Sequence, residues 1–386
     1  MIDSTHVVVL GGGYAGVMAA NRLGRRNDVR VTLVNPRPDF VERIRLHQLA
    51  AGNDDATESF GTLLRDGVHL VVDGAERIDA PARLVRLTSG ATLAYDYLVY
   101  AVGSTGSVPA AVPGADEFAY PLGELEQARR LADRLADLPM SAPVTVVGGG
   151  LTGVEAAAEF ADAGRSVTLV TDILGPSLSA GGRRSVANRL TRLGVDVVDG
   201  VRVARVDADR VVLGDGRAVP SAATVWTAGF GVPGLAAVSG LSTDALGRMI
   251  TDETLTSVDD PHVIAAGDAA SPSALPLRMS CQAALPLGAQ AAETVLARLA
   301  GESPAPINQA FTGQCISLGR TAGTIQLARF DDSVLPLHLG GRIAATIKEQ
   351  VCKGTLSFLR KEAGKPGSYF WLKGGKRAQK VPVAAS

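Results

Sequence analysis

The residues whose spacing most clearly implies chemistry are glycines. Gly11, Gly13 and Gly16 form a G-x-G-x-x-G pattern within Gly11-Gly12-Gly13-Tyr14-Ala15-Gly16. The pattern follows an apolar, β-branched run (residues 6–10) and opens a helical stretch that begins at Tyr14 and Ala15. In a strand-turn-helix unit each glycine has its own task. Gly11 allows the tight turn, Gly13 lets a pyrophosphate approach the main chain, and Gly16 lets helix and strand pack closely. The helix N-terminus adds unpaired N–H groups and positive potential for phosphates. An acidic residue usually ends the second strand and binds the adenosine ribose. Here Asn35 holds that place; its amide can still hydrogen-bond a hydroxyl, and Arg37 can meet phosphate or adenine.

The same logic recurs about 137 residues later. Gly148, Gly150 and Gly153 repeat the spacing, with Leu151 and Thr152 opening the helix. Glu155 stands just beyond, either as a favourable charge near the helix start or facing a bound ring. The strand that follows ends in Thr171 and Asp172. An acid at such a strand end favours NADH by bonding the ribose and repelling a 2′-phosphate, but the usual acidic position falls on Thr171, with Asp172 one step late. Arg183 and Arg184 could instead pair with that phosphate or simply sit on a solvated helix.

The elements needed to position these residues are legible as βαβ units. Strand, Gly-rich turn, helix and strand run through residues 6–34 and again through residues 144–170. A helix over residues 124–138 precedes the second unit and ends before Pro139 and Pro143. Further apolar strands are expected at residues 95–102, 225–229 and 263–266, each running into glycine, and a helix over residues 280–299. Alternation of this kind predicts parallel sheets with right-handed crossovers.

Three later segments carry a family resemblance. Tyr95-Asp96-Tyr97-Leu98-Val99-Tyr100-Ala101-Val102-Gly103-Ser104 resembles a motif of two-dinucleotide-binding flavoproteins, with Val102 where Thr is usual. Val225-Trp226-Thr227-Ala228-Gly229 is similar to their return strand from the NAD unit, and Val263-Ile264-Ala265-Ala266-Gly267-Asp268 to their late FAD motif. The resemblance covers about residues 5–300 and is nearest to type II NADH dehydrogenases and apoptosis-inducing-factor-like reductases. It implies that the first unit holds FAD, through Gly11, Gly13, Tyr14, Ala15, Gly16, Asn35, Arg37, Ala101, Val102, Gly103, Gly267 and Asp268. It implies that the second holds NAD(P)H, through Gly148, Gly150, Leu151, Thr152, Gly153, Glu155, Thr171, Asp172, Ala228 and Gly229. Residues 40–50 occupy the segment that approaches the flavin in those proteins, making Arg45 and His47 candidates for its ring side. Gln282 matches the first glutamine of their A-Q-x-A helix beside flavin and quinone, whereas Pro286 replaces the second. Glu155 and Gln282 are thus the candidate catalytic residues.

Composition bounds the remaining readings. The net charge is −1, yet residues 341–386 carry ten Lys/Arg against Glu349 and Glu362, so that this tail is +8 and the rest −9. Ile343, Ile347, Val351 and Leu356 lie close to one helical stripe of the tail, a composition that suits an anionic bilayer or, equally, a dimer or domain-packing helix with a solvated basic face. No nucleic-acid motif accompanies the charge, and nucleic acid is not expected as a partner. Cys281, Cys315 and Cys352 form neither a C-x-x-C nor a disulfide framework, which fits a reducing cytoplasm. No His/Cys cluster has metal-ligand spacing. The start at residue 1 runs almost directly into a strand, leaving no room for a signal peptide. The uncharged window at residues 221–241 is broken by Gly229, Gly231, Pro233 and Gly234 and reads as buried strand and loop, not a membrane span.

The expected fold is α/β: two Rossmann-like three-layer units, the NAD unit inserted into the FAD unit, then a C-terminal α+β region. The expected segments are 1–120 and 245–305 for FAD, 121–244 for NAD(P)H, and 306–386 for the C-terminal region. The expected activity passes hydride from NADH, or alternatively NADPH, to FAD and electrons onward to an acceptor, first of all a quinone. A soluble reductase of a ferredoxin-like protein or small molecule, and a flavin-bearing sensor with little turnover, are the alternatives. The expected location is cytoplasmic or peripheral on the inner face of the cell membrane.

Overall fold

A computed structural model describes residues 4–379. Five parallel strands form the first sheet: β1 (Thr5–Leu10), β2 (Val29–Asn35), β3 (Val68–Val72), β4 (Tyr97–Tyr100) and, much later in the chain, Val263–Ala265. The late strand lies beside β4, then come β1, β2 and β3. Between them the chain builds a second parallel sheet from β5 (Ala119–Pro121), β6 (Val144–Val147), β7 (Val167–Val170), β8 (Asp196–Val198) and β9 (Ala223–Trp226), in the order β5-β9-β6-β7-β8. The late strand Val263–Ala265 is therefore β10, and it returns the chain to the first sheet.

These strands are near-continuous apolar runs because both faces are covered, one by helices and the other by a small antiparallel sheet, residues 75–94 on the first parallel sheet and 203–220 on the second. Val7, Val8, Val9 and Leu10 are buried, as are Val144, Val146 and Val147. In each sheet the strand before the glycine turn is central. The chain leaves it for the next strand on one side and reaches its other neighbour only later. That is a topological switch point, where a crevice opens at the carboxyl ends of the strands. The fold is thus mixed α/β with two Rossmann-like parallel sheets, as the βαβ alternation predicted.

Helix α1 (Tyr14–Leu23) follows β1, and helix α2 (Leu151–Asp162) follows β6. Helix α3 (Cys281–Leu299) packs across α1. Gly288 permits that approach, since a Cβ there would sit 2.2 Å from Ala15 O. The close crossing brings the N-terminus of α3 to the first glycine turn.

After α3 come three antiparallel strands, β11 (Gly313–Ser317), β12 (Gly323–Ala328) and β13 (Val334–Gly340), and then helix α4 (Gly341–Gly364). The apolar stripe expected in the tail divides. Leu356 turns inward with Cys352, Thr355 and Leu359, whereas Ile343, Ile347 and Val351 stay exposed together with Phe358. Much of the tail's charge is also paired within the molecule: Lys348 with Glu155, Arg360 with Glu58, Arg377 with Glu253. Lys380 lies outside the described residues. The window at residues 221–241 contains β9 and the short helix Leu235–Val238. Among the described residues no helix is long and apolar enough to cross a membrane.

Candidate functional site

The two glycine turns are built alike. Gly11 has φ +98° and Gly148 φ +118°, a region that disfavours side chains. A Cβ on Gly11 would lie 2.4 Å from Ala101 O, and one on Gly148 2.7 Å from Thr227 Oγ1. Gly16 and Gly153 press on the start of their own turns, 1.8 Å from Gly11 O and 1.9 Å from Gly148 O by the same construction. Gly13 and Gly150 are the opposite case: a Cβ on either would meet nothing within 4 Å. Each turn is therefore tight at its first and third glycines and open at its second, where the next helix begins.

The first turn forms one end of a cavity of about 1140 Å³. Gly11, Gly13, Tyr14, Ala15, Asn35, Arg37, Ala101, Val102, Gly103, Gly267, Asp268 and Gln282 all line it. Gly16 does not; it lies beneath the turn. Asn35 braces the turn, its Oδ1 accepting Gly12 N–H at 2.8 Å and its Nδ2 donating to Arg37 O at 2.8 Å. Arg37 is ion-paired with Glu124 and Glu126. The dimensions, the open Gly13 face and the helix start are what a long dinucleotide needs, so the residues present fit FAD.

Arg45 lies elsewhere. It is 9% exposed and bonds Glu42, Gln48 and Glu349, outside the cavity lining. Its neighbour Arg43 lines the cavity instead, donating to Ser104 Oγ at 2.7 Å and to Gly123 O at 3.0 Å. Ser104 Oγ in turn donates to Asp268 Oδ2 at 2.7 Å. The short 3-10 turn Arg43–Arg45 sends the two arginines in different directions. Sequence reasoning singled out neither Arg43 nor Ser104, although Ser104 closes the Ala101–Gly103 motif.

The start of α3 supplies a further wall. Ser280 caps the helix, its Oγ accepting Ala283 N–H. Gln282 is held on both amide atoms, accepting from Arg278 at 3.1 Å and donating to Thr312 Oγ1 at 3.0 Å. Pro286 is buried within the helix and does not line the cavity.

Glu155 joins the cavity from the other glycine helix, with Leu151 and Thr152. Its carboxylate accepts from Lys348 Nζ at 3.1 Å, Ser317 N–H at 2.9 Å and Ser317 Oγ at 3.2 Å. Burial would raise its pKa, but the Lys348 ammonium, helped by His47 and the Ser317 amide, holds the carboxyl below its usual range. Lys348 is shifted the other way: burial opposes its charge, and Glu155 more than restores it. His47 also lines the cavity, and burial pulls its pKa down to about 4. Sequence reasoning placed Lys348 only among surface charges.

The cavity lining also includes an apolar branch of side chains. Ile325 and Leu327 of β12, Ile347, Val351 and Phe358 of α4, and Tyr369 line it. Ile347, Val351 and Phe358 are partly exposed, so the branch reaches the surface beside α4. Cys281 and Cys315 line the cavity too, Cys352 is buried nearby, and all three are free thiols raised above their ordinary pKa first of all by burial. No group of His, Cys, Asp and Glu among the described residues could hold a metal ion.

The glycines of the second turn do not line that cavity, although Leu151 and Thr152 of the helix they open do. Thr171 is buried under Gly149, whose Cβ would lie 2.4 Å from Thr171 Oγ1. Asp172 projects outward and pairs with Arg202 at 2.8 Å. Ala228 and Gly229 are exposed at the end of β9, and Arg183 and Arg184 are exposed on the helix Ala180–Arg192.

Comparison with known proteins follows the same outline. The family model for pyridine nucleotide-disulphide oxidoreductases matches residues 5–292. An NADH dehydrogenase-like protein of Mycobacterium tuberculosis is 33% identical, over 76% of this chain and 80% of its own. A type II NADH:quinone oxidoreductase of the same organism is 28% identical over 78% of this chain and 74% of its own. A ferredoxin–NAD(P)(+) reductase of a Sphingomonas species is 30% identical over 72% of each. Among solved structures, a sulfide:quinone oxidoreductase of Aquifex aeolicus superposes with TM-score 0.79 over 93% of this chain and 92% of its own, at 20% identity, a likeness of fold.

Proposed function

The chain belongs to the pyridine nucleotide-disulphide oxidoreductase family, whose cofactors are FAD and NAD(P)H, and we propose that this NAD(P)H oxidoreductase delivers its electrons to a quinone. One observation carries the choice of acceptor. The one cavity is lined by Gly13, by the start of α3 and by an apolar branch of β12 and α4 side chains, of which Ile347, Val351 and Phe358 are partly exposed. Such a branch suits a flat, lipophilic acceptor entering from the surface, and a type II NADH:quinone oxidoreductase is among the relatives. A ferredoxin would dock outside and use no branch.

When bound, the flavin supplies the two-electron chemistry, taking hydride from a reduced nicotinamide and passing electrons on. The protein's part is position and electrostatics. The open faces at Gly13 and Gly150 admit the two pyrophosphates, each against a helix N-terminus. Asp268, steadied by Ser104 and Arg43, offers a carboxylate to a ribityl hydroxyl. The α3 N-terminus adds positive potential where negative charge develops. Lys348 Nζ is a buried cation on the same wall, kept protonated by Glu155 and placed to meet an acceptor oxygen.

A quinone implies a lipid surface. Ile343, Ile347, Val351 and Phe358 are exposed along α4, Leu337 and Leu339 on β13, and Arg342, Lys353, Lys361 and Lys365 are exposed around them. Exposed apolar groups on the same helix as exposed basic ones suit peripheral attachment to an anionic membrane face.

The test is anaerobic. NADH is added to the flavin-loaded protein, and bleaching of the flavin band is expected. A short-chain quinone is then expected to restore the band, and a ferredoxin is not. Recovery with ferredoxin alone would favour the reductase reading that the Sphingomonas relative represents.

A further inference from the structure

Cys315 stands at the middle of β11, on the cavity wall. Ile325 of β12 lies opposite it in the antiparallel register and lines the same cavity. Ser317, two residues on and so on the same face of the strand, donates through Oγ to the Glu155 carboxylate at 3.2 Å. The Cys315 carbonyl accepts from Lys348 Nζ at 3.4 Å. The thiol is thus flanked by the apolar branch on one side and by the Glu155–Lys348 pair on the other.

The other two thiols are placed differently. Cys281 lines the cavity from the start of α3, where it packs against the core shared by α1 and α3. Cys352 is buried and does not line the cavity. All three are free, so Cys315 is a partly exposed nucleophile on the wall of an acceptor cavity with no disulfide to make. Burial raises its pKa, and Lys348 is the strongest of the groups that oppose the rise. The group is a thiol, not a thiolate, at neutral pH. It is slow toward reagents in free solution, but an electrophile held beside it gains from proximity.

We propose that Cys315 captures covalently any quinone with an unsubstituted ring carbon, so that the acceptors this cavity turns over repeatedly are those whose ring carbons are all substituted. The inference rests on the quinone reading of the cavity and narrows its substrate class. Cys315 Sγ adds to the open ring carbon, and an S–C bond replaces the S–H bond. The thiol proton goes to one ring oxygen, and the hydrogen of the attacked carbon shifts to the other. The product is a hydroquinone thioether, and the two electrons that reduce the ring are those of the sulfur pair that forms the new bond. No outside oxidant or reductant is used. Lys348 Nζ, beside the Cys315 carbonyl, steadies the negative charge that develops on a ring oxygen. A ring with every carbon substituted offers no hydrogen to shift and is reduced at the flavin instead.

The probes are 1,4-naphthoquinone, which has open ring carbons, and duroquinone, whose ring carbons all carry methyl groups. The oxidised, flavin-loaded protein is incubated with each anaerobically and without NADH, and intact mass and peptide mapping are read independently of turnover. Naphthoquinone is expected to add one whole quinone to the Cys315 peptide, and duroquinone to add nothing. Excess duroquinone is expected to slow the naphthoquinone adduct by occupying the same branch. Cys315→Ser, with an unchanged flavin spectrum and melting temperature to show it folded, is expected to lose the adduct. After naphthoquinone treatment the wild type is expected to lose duroquinone reduction, and Cys315→Ser to keep it. No adduct, or an adduct mapped to Cys281 or Cys352 in place of Cys315, overturns the proposal. An adduct that duroquinone does not slow overturns the placement of Cys315 in the acceptor branch. If duroquinone reoxidises the NADH-reduced flavin and no adduct forms, the capture fails and the quinone reading stands. If the Cys315 adduct forms and duroquinone never reoxidises the flavin, the quinone reading fails and the thiol site stands.

Discussion

Lys348 Nζ lies 3.1 Å from Glu155 Oε1, joining the C-terminal helix α4 to the glycine helix α2 across the wall of the cavity. Both side chains are largely buried, with 15% and 10% of their surfaces exposed. A charge left alone there has little water to turn to. Lys348→Met is expected to destabilise the protein by about 3 kcal/mol, because it strands the Glu155 carboxylate. The double variant E155Q/K348M is expected to recover most of that loss, since no buried charge remains. Denaturant midpoints of the two variants check this. In the double variant the acceptor half-reaction should slow while flavin reduction by NADH persists.

His47 gives a second expectation, in pH. Its folded pKa is lowered from 6.5 to about 4, first by burial and then by Lys348 and Arg45 against the opposing Glu155. The unfolded chain thus takes up a proton at a pH where the folded protein stays neutral at this site. Stability falls as pH drops from about 6.5 toward 4 and levels off below, a loss of about 3 kcal/mol for a shift of this size. Glu155, whose folded pKa is depressed, adds a loss at the acid end, as pH falls through the carboxylate range. His47→Gln should remove the upper part of the slope and leave the lower. Unfolding midpoints measured from pH 7 to 4 separate the two.

The glycine turns were the most legible part of the sequence, because a glycine's demand is local. Its need for positive φ or close approach is written in its own turn and the strand before it. The double Rossmann layout followed from the same units. The cluster around Lys348 was not legible. Its partners come from α2, from β11 and from the segment of His47, and no period in the sequence connects them. A lysine in a basic tail looks solvated until the fold carries it under a surface. The division of the α4 stripe has the same origin: the helix has apolar residues on two faces, and only packing decides that Leu356 goes in and Ile347 stays out.

The turns also allow a contrast between neighbouring positions. Gly13→Ala meets no protein atom, so the protein is expected to fold normally yet purify with little flavin, its new methyl standing in the pyrophosphate's path. Gly16→Ala would drive a methyl to 1.8 Å from Gly11 O and is expected to prevent stable folding. At the second turn, Gly150→Ala should keep the flavin and raise the KM for NADH, with Gly153→Ala again failing to fold. Flavin absorbance per protein and steady-state rates distinguish the four variants. If Gly13→Ala retained its flavin, the first turn would not be a pyrophosphate cradle.

Arg43 and Arg45 make the sharpest comparison, because two residues separate opposite expectations. The 3-10 turn aims Arg43 at the cavity, where it donates to Ser104 and its own Nη1 lies 3.8 Å from Asp268 Oδ2. Arg45 turns to Glu42 and to Glu349 of α4 and ties the loop to the C-terminal helix. Arg43→Ala is expected to leave the fold intact and to speed flavin loss several-fold, by releasing Ser104 and Asp268 from their shared geometry. Arg45→Ala is expected to cost about 2 kcal/mol of stability, the scale of lost bonds to partly buried charges. Its flavin retention below the melting range should match wild type. Dilution into flavin-free buffer, followed by fluorescence of the released cofactor, measures the first; thermal unfolding measures the second. Reversal of the two results would place Arg45, not Arg43, beside the flavin.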